Sequence, residues 1–373
     1  MRRVPISIKL WAALAAPLLG LLAITVIEVA QASRKVHSVS EQADLATAPI
    51  GPTGVTEALE NERNFAVTYL IGLEDEFPLE AGTLEESRTA ADTKIDEFRA
   101  HILQRGGAVA EAYRPALEGL SGLEGLRQEI DGNTSERTLD NSVFSSTVFD
   151  GYADLIAPFL DANTRVAVAI DDPELRQGAE LVDTISRQIE VIADLSRTLL
   201  QSALTEGPAD RGEVAEIATL TDLLERNDAA LQAAGRDPYR SVVASGLPEQ
   251  LNTQLLQLAD TTIAGQEVPP ERILSAVDVP EDQSYIGFRD DVSQVLRDKA
   301  DSLADAARQR VWVYWILALL AIGITVLATW LVSRSITRPL RALTRQATEM
   351  ANHRLPDAVL DILDTPLGDD VTV

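Results

Sequence analysis

Two arginines lie on helical faces that are otherwise apolar. At helical periodicity Arg63 shares a face with Leu70, and Arg197 shares one with Leu204. A guanidinium on a packed face needs an anionic partner, because burial of an unpaired charge is unfavourable. Its planar fork matches carboxylates and oxyanions bidentately. Arg63 and Arg197 are therefore candidate residues for clasping a small planar anion between two helices.

An ordinary structural role explains the same two residues. Glu60 lies three residues before Arg63, and Asp194 lies three residues before Arg197, so each arginine could pair within its own helix for roughly a few tenths of a kcal/mol. Spacing alone leaves both interpretations open. The chain has 32 basic and 58 acidic residues, so positive charge at any anion site must be local and concentrated.

Composition removes several other classes of function. The chain has no cysteine, which excludes thiolate metal sites and cysteine nucleophiles. Its three histidines, His37, His101 and His353, are far apart and do not have the spacing of metal ligands. The acidic balance argues against a nucleic-acid partner, which would need clustered cations. We expect no catalytic residues, metal or cofactor in this chain.

The segment that carries both arginines is predicted to be all-α. It is rich in Ala, Leu, Glu, Arg and Gln, and it lacks the alternating Val, Ile and Thr runs of strands. Proline and glycine breakers divide 33–310 into about eight helices. Arg63 falls in a helix near 53–72, and Asp172-Pro173 opens a long helix that carries Arg197. Further helices are predicted near 83–104, 108–130, 136–168, 239–264 and 282–310, and one more between the turns at Gly207-Pro208 and at 235–238.

Two uncharged runs are long enough to cross a membrane. They extend from Leu10 to Ile27 and from Val311 to Val332, and at about 1.5 Å per residue each matches the bilayer core. Basic residues lie just outside both runs, namely Arg2, Arg3, Lys9, Arg334, Arg338, Arg341 and Arg345. Because basic flanks stay in the cytoplasm, the segment between the runs is expected to be extracytoplasmic.

A cleaved signal peptide is the alternative for the first run. Ala30-Gln31-Ala32 has the small-x-small form of a cleavage site. The apolar run is longer than the core of a typical signal peptide, and Glu28 precedes the candidate site, so an uncleaved anchor is favoured.

The stretch after the second run has a coiled-coil pattern. Ile336, Leu340, Leu343, Ala347 and Met350 recur at steps of four and three, which predicts a parallel helix pair and hence a homodimer. With Pro339 before Leu340, the stretch resembles the first helix of a HAMP linker. We predict that Pro339, Leu340, Leu343 and Met350 transmit a signal. Leu355-Pro356 would end this helix, so the linker is expected to be partial, with the kinase output outside this chain.

The whole arrangement resembles the nitrate- and nitrite-sensing (NIT) receptors of actinobacterial sensor kinases. The resemblance rests on the stretch from Leu59 to Arg63 followed by Tyr69-Leu70, the second arginine in a later long helix, the two runs and the HAMP-like stretch. It implies two four-helix bundles with nitrate or nitrite bound at their interface, and Arg63 and Arg197 are the matching positions. The usual Glu-Arg-Gly of the family reads Glu62-Arg63-Asn64 here.

These inferences define a membrane receptor that senses an extracytoplasmic small anion and passes the signal to a missing histidine-kinase output through a HAMP-like linker. The alternatives are a receptor of the same architecture for another ligand or a protein partner, and a membrane scaffold that senses nothing. The expected domains are a cytoplasmic N-terminus at 1–9, spans at 10–32 and 311–332, the sensor at 33–310, the partial linker at 333–356 and an acidic tail at 357–373.

Overall fold

The computed structural model describes residues 6–48, 50, 54–71, 83–133, 142–205, 207–280 and 283–349. Helices and short turns account for these residues, and they include no β-strand. The all-α prediction is therefore confirmed for the part of the chain that is described. Two compact units are present, one formed by Ser38–Asp305 and the other by Met1–His37 together with Ala306–Val373.

The helices follow one another with short connections. In chain order they are α1 Ile6–Thr47, α2 Val55–Leu70, α3 Leu84–Arg105, α4 Gly107–Gly119, α5 Leu123–Gly132, α6 Ser142–Val168, α7 Pro173–Leu204, α8 Arg211–Ala234, α9 Arg240–Gly246, α10 Glu249–Ile263, α11 Pro270–Val277 and α12 Tyr285–Glu349.

Local sequence signals set several of these boundaries. Asp172 caps α7 by accepting hydrogen bonds from the backbone N–H groups of Glu174 and Leu175 at 3.0 and 3.1 Å, with Pro173 at the first helical position. Asp210 and Glu213 form a capping box at the start of α8. The predicted start of the long helix that carries Arg197 is thus explained by its cap.

Two of the predicted helices are wrong in their extent, and one helix was missed. The helix predicted near 108–130 is interrupted by a 3-10 turn at Leu120–Gly122, where two flanking glycines weaken the α-helix. The helix predicted near 239–264 is divided at Pro248, which stands at the N-cap of α10. The eight-residue helix α11 was not predicted.

The buried apolar residues of Ser38–Asp305 divide between two cores. One core is formed mainly by α2 to α6 and includes Leu59, Phe98 and Ile156. The other is formed mainly by α7, α8, α10, α11 and the start of α12. The second core packs around Leu175 and Ile185, both of which are fully buried. Arg63 belongs to a helix of the first core and Arg197 to a helix of the second.

One helix in the described part of the chain is long and apolar enough to cross a membrane. Its segment Tyr285–Ala328 contains an 18-residue window of mean hydropathy 2.4, of which 6% is buried. The large apolar residues from Trp312 to Leu331 are correspondingly exposed, as is usual for a surface that faces lipid. The first predicted span lies within α1, but most of its side chains fall outside the described residues, so the two-span arrangement stays a prediction.

Candidate functional site

Helix α2 buries three charged side chains, Glu60, Glu62 and Arg63, which are 3%, 0% and 1% exposed. A surface helix places its charges in water, so burial of three within one turn requires partners from neighbouring helices. Partners for Glu62 and Arg63 come from α5, α6 and α7.

Arg63 is held by a carboxylate on α7. Its Nη1 and Nη2 atoms donate to Oε2 and Oε1 of Glu190 at 2.7 and 3.0 Å, the bidentate geometry that suits a guanidinium best. The guanidinium carbon also lies 4.3 Å from the ring centroid of Phe149 on α6, within cation–π range. The buried Nε of Arg63 has no hydrogen-bond partner among the described residues.

Arg197 is held by several partners on α6, α7 and α8. Its Nη2 donates to Asp194 at 2.7 Å and to Glu216 at 2.8 Å, and its Nη1 donates to Ser146 at 2.7 Å. Burial alone would lower the pKa of Arg197, but the hydrogen bond to Asp194 and the neighbouring carboxylates raise it. Arg197 therefore stays charged in its partly buried position.

Both predicted arginines meet at one aromatic ring. The guanidinium carbon of Arg197 lies 5.2 Å from the centroid of Phe149, so the Arg63 and Arg197 guanidiniums are within about 10 Å of each other across a ring that each can contact. The structure thus brings together the two residues that sequence spacing had left on separate helices. It adds Phe149 and Glu190, which sequence reasoning had missed.

Glu62 forms a separate buried cluster with Arg127 and Tyr152. Its carboxylate accepts from Nε and Nη2 of Arg127 at 2.7 and 2.8 Å and from the hydroxyl of Tyr152 at 2.7 Å. Burial and the Glu62 charge raise the pKa of Tyr152, so the hydroxyl stays a donor. The Glu62 cluster fixes α2 against α5 and α6, and it thereby positions Arg63.

Glu60 lies on the same helix without such a partner. Neither of its carboxylate oxygens has a hydrogen-bond partner among the described residues. Burial raises its pKa to about 7; Arg289 and Arg63 oppose the rise, and Glu190 and Glu57 add to it. Arg289, on α12, donates to Glu57 at 2.8 Å and is 7% exposed. This arginine was not among the residues predicted from sequence.

The two intrahelical pairs that were open alternatives have different outcomes. Arg197 does pair with Asp194, as helical spacing allows. The Glu60–Arg63 pair is not formed. Instead, Glu190 on α7 pairs with the guanidinium of Arg63. Glu190 precedes Arg197 by seven residues, which places both on one face of α7. That spacing was the available sequence signal for it.

The predicted transmission residues lie at the end of the described chain. Pro339, Leu340 and Leu343 belong to α12, whose backbone continues to Glu349, and Met350 lies outside the described residues. The side chains of 335–349 are not among those described, so the predicted coiled-coil seam stays a prediction.

In chemical terms, the site is a pair of arginines whose donors are presently satisfied by the protein's own acids. A planar oxyanion offers the same acceptor geometry as a carboxylate, so it can replace Glu190 or Glu216 on a guanidinium. The site is therefore suited to exchange of a side-chain carboxylate for a small free anion.

Comparison with known proteins identifies the family of this chain. The family model for nitrate and nitrite sensing (NIT) matches residues 54–311, well over half of the chain, and the chain belongs to this family. Among solved structures it is similar to one described as the NasR transcription antiterminator, with a TM-score of 0.54, 15% identity and 86% of each chain covered. That likeness shows a shared fold. No curated protein matches the chain.

Proposed function

We propose that this protein is a receptor for nitrate or nitrite, bound by Arg63 and Arg197. Membership of the nitrate and nitrite sensing family supports the ligand class. The observation that carries the assignment to these residues is their convergence on Phe149, with guanidinium carbons 4.3 and 5.2 Å from the ring centroid. Each of the two guanidinium forks at this ring can bind an oxyanion in exchange for one of its carboxylate partners.

Binding proceeds by exchange. The anion takes the place of Glu190 on the Nη1 and Nη2 atoms of Arg63. Glu190 is 18% exposed in its side chain, so it can move toward solvent when released. Since Glu190 ties α7 to α2, its release changes the packing of these two helices. A ligand that favours the released state shifts the receptor population toward it.

Titration calorimetry on the full chain in detergent or nanodiscs tests this proposal, with nitrate, nitrite and sulfate as ligands. We expect nitrate or nitrite to bind, and Arg63→Lys and Arg197→Lys each to weaken binding at least about tenfold because lysine keeps the charge but loses the fork. Arg114→Lys is the matched control, since Arg114 is 59% exposed and pairs with Glu111 on its own helix. Equal affinity in all four proteins would contradict the assignment.

We further propose that the receptor signals across the membrane as a homodimer, with its sensor outside the cytoplasm, two spans and a HAMP-like linker to a kinase output. The exposed apolar stretch of α12 and the seam that includes Leu340 and Leu343 support this arrangement. The chain has no native cysteine, so single cysteines can report topology. Asn133→Cys should react with an impermeant maleimide in intact cells, and Asp370→Cys only after permeabilisation.

A purely structural role for the two arginines is the competing function. Both already hold carboxylates, Glu190 in one case and Asp194 with Glu216 in the other. In that case the receptor serves another ligand or a protein partner, or the chain is a membrane scaffold. Fusion of residues 1–354 to a heterologous kinase core separates these outcomes: a nitrate receptor gives nitrate-dependent phosphorylation, and a scaffold gives a constant level.

A further inference from the structure

Of the three buried charges on α2, Glu60 alone has no hydrogen-bond partner in the described part of the chain. Glu62 accepts from Arg127 and Tyr152, and Arg63 donates to Glu190. Glu60 is as well buried as its neighbours, at 3% exposed, yet both of its oxygens lack a partner. A carboxylate in this position is strongly disfavoured unless it gains a partner or a proton.

The charges around Glu60, with its own included, are unbalanced. Arg289 on α12, Glu190 on α7, and Arg63 and Glu57 on its own helix surround it. When Glu60 and all four neighbours are ionised, the group has three carboxylates and two guanidiniums. An anion that replaces Glu190 on Arg63 keeps this negative excess in a site from which water is largely excluded, and this is costly. A proton on one of the carboxylates removes that excess.

We propose that Glu60 is a further ligand-binding residue of the anion site, which takes one proton from solvent as the oxyanion enters and donates it as a hydrogen bond to an anion oxygen. This inference rests on the proposed nitrate or nitrite function. The proton goes to Glu60 because Glu57 is engaged by Arg289, a hydrogen bond that favours the charged form, and because Glu190 moves toward solvent in the exchange. The anion then takes over the negative charge of Glu190, and the proton removes the remaining excess.

Because of the surroundings of Glu60, we expect the change from no proton uptake to uptake of one proton near neutral pH. Burial raises the pKa of Glu60 to about 7, so the free receptor already carries the proton in mildly acidic solution and lacks it in mildly alkaline solution. Affinity for the anion should therefore be constant below about pH 7 and fall up to about tenfold for each pH unit above it.

The test is calorimetric titration of the full chain in nanodiscs with nitrate and nitrite at pH 6 and pH 8.5. Each titration is run in two buffers of different ionisation enthalpy, so that the protons taken up per anion are counted. For the wild type we expect about one proton per anion at the higher pH and about none at the lower pH. The proton count needs no variant and stands even if a substitution impairs folding.

The variants Glu60→Gln and Asp183→Asn test whether Glu60 is the group that takes up the proton. Glutamine keeps the shape and offers a permanent N–H donor, so Glu60→Gln should bind with no linked proton and with the same affinity at both pH values. Asp183 is the matched control: burial also raises its pKa, but it contacts Thr164 and Arg187 instead of the candidate site. Asp183→Asn should keep the proton count and pH dependence of the wild type.

The outcomes are distinguishable. Anion binding with no proton uptake at pH 8.5 and an affinity independent of pH would overturn the role of Glu60 and leave the receptor proposal intact. Proton uptake that persists in Glu60→Gln would overturn it as well, by assigning the proton to another group. Absence of nitrate and nitrite binding at both pH values would overturn the proposed function and this inference together.

Discussion

Arg63 on α2 donates hydrogen bonds from both of its Nη atoms to the two carboxylate oxygens of Glu190 on α7, at 2.7 and 3.0 Å. The pair joins a helix of the first core to a helix of the second. It also places a carboxylate where a planar anion would otherwise bind. Glu190 thus competes with any ligand of Arg63, and the competition has a measurable consequence.

Replacement of Glu190 by glutamine should strengthen nitrate or nitrite binding by about tenfold, because one ionic competitor for the Arg63 fork is removed. Calorimetry on the full chain measures the effect. Glu97→Gln is a suitable control, because Glu97 pairs with Lys94 on the exposed face of α3. Weaker binding in Glu190→Gln than in the control would show that Glu190 supports the site instead of competing for it.

Phe149 is expected to be needed for both arginines at once. Phe149→Leu keeps an apolar side chain but removes the ring face, so stability should fall by about 1–2 kcal/mol and anion affinity should fall as well. Urea denaturation and calorimetry measure the two effects. Phe159→Leu makes a comparable change on the same helix, where Phe159 packs on Phe98 in the first core. It should reduce stability without loss of affinity.

Glu60 should make the unbound protein less stable as pH rises. Its pKa increases from 4.5 to about 7 on folding, so the folded state binds the proton more tightly. Stability is then lost between these two values, by about 3 kcal/mol in total, and stays constant above them. In urea denaturation at about pH 5 and pH 8, Glu60→Gln should gain stability relative to wild type at the higher pH only. An equal difference at both pH values would refute this explanation.

Gly178 on α7 should tolerate no side chain. A Cβ at this position would lie 2.6 Å from Cζ of Tyr239 and 2.8 Å from Cδ1 of Leu296. Tyr239 is fully buried and its hydroxyl donates to the carbonyl of Glu174, so it cannot move away easily. Gly178→Ala should therefore lower stability by about 1–3 kcal/mol in urea denaturation.

Gly125→Ala is the matched control for Gly178→Ala. Gly125 lies within α5, and a Cβ there would meet nothing within 4 Å. Alanine should raise stability by up to about 1 kcal/mol at that position, because it favours a helix over glycine. A similar response at both positions would contradict the packing explanation for Gly178.

The sequence predicted those parts of the fold that depend on local signals. Asp172-Pro173 predicted the start of α7 because a cap acts on the residues directly after it. The division near Leu247-Pro248 and the 3-10 turn at Leu120–Gly122 were missed. In both places an apolar pattern continues across the break, so periodicity alone extends the helix too far.

The candidate site was predictable only in part, for a related reason. Arg63 and Arg197 could be found because a charge on an apolar stripe is conspicuous within one helix. Phe149 and Arg289 become part of the site only through contacts between helices, and Arg289 meets Glu57 across 232 positions of sequence. The partner predicted for Arg63 within its own helix was wrong for the same reason, since the periodicity of α2 contains no information about the residues of α7.

The Glu57–Arg289 ion pair offers a mechanical route out of the candidate site. Glu57 shares α2 with Arg63, and Arg289 lies in the second turn of α12, the helix that also contains the apolar stretch from Trp312 to Leu331. A displacement of α2 when an anion replaces Glu190 would therefore act on α12 through this ion pair. With Arg289 replaced by an uncharged residue of similar length, the nitrate-dependent change in phosphorylation should be reduced in the fusion to a heterologous kinase core.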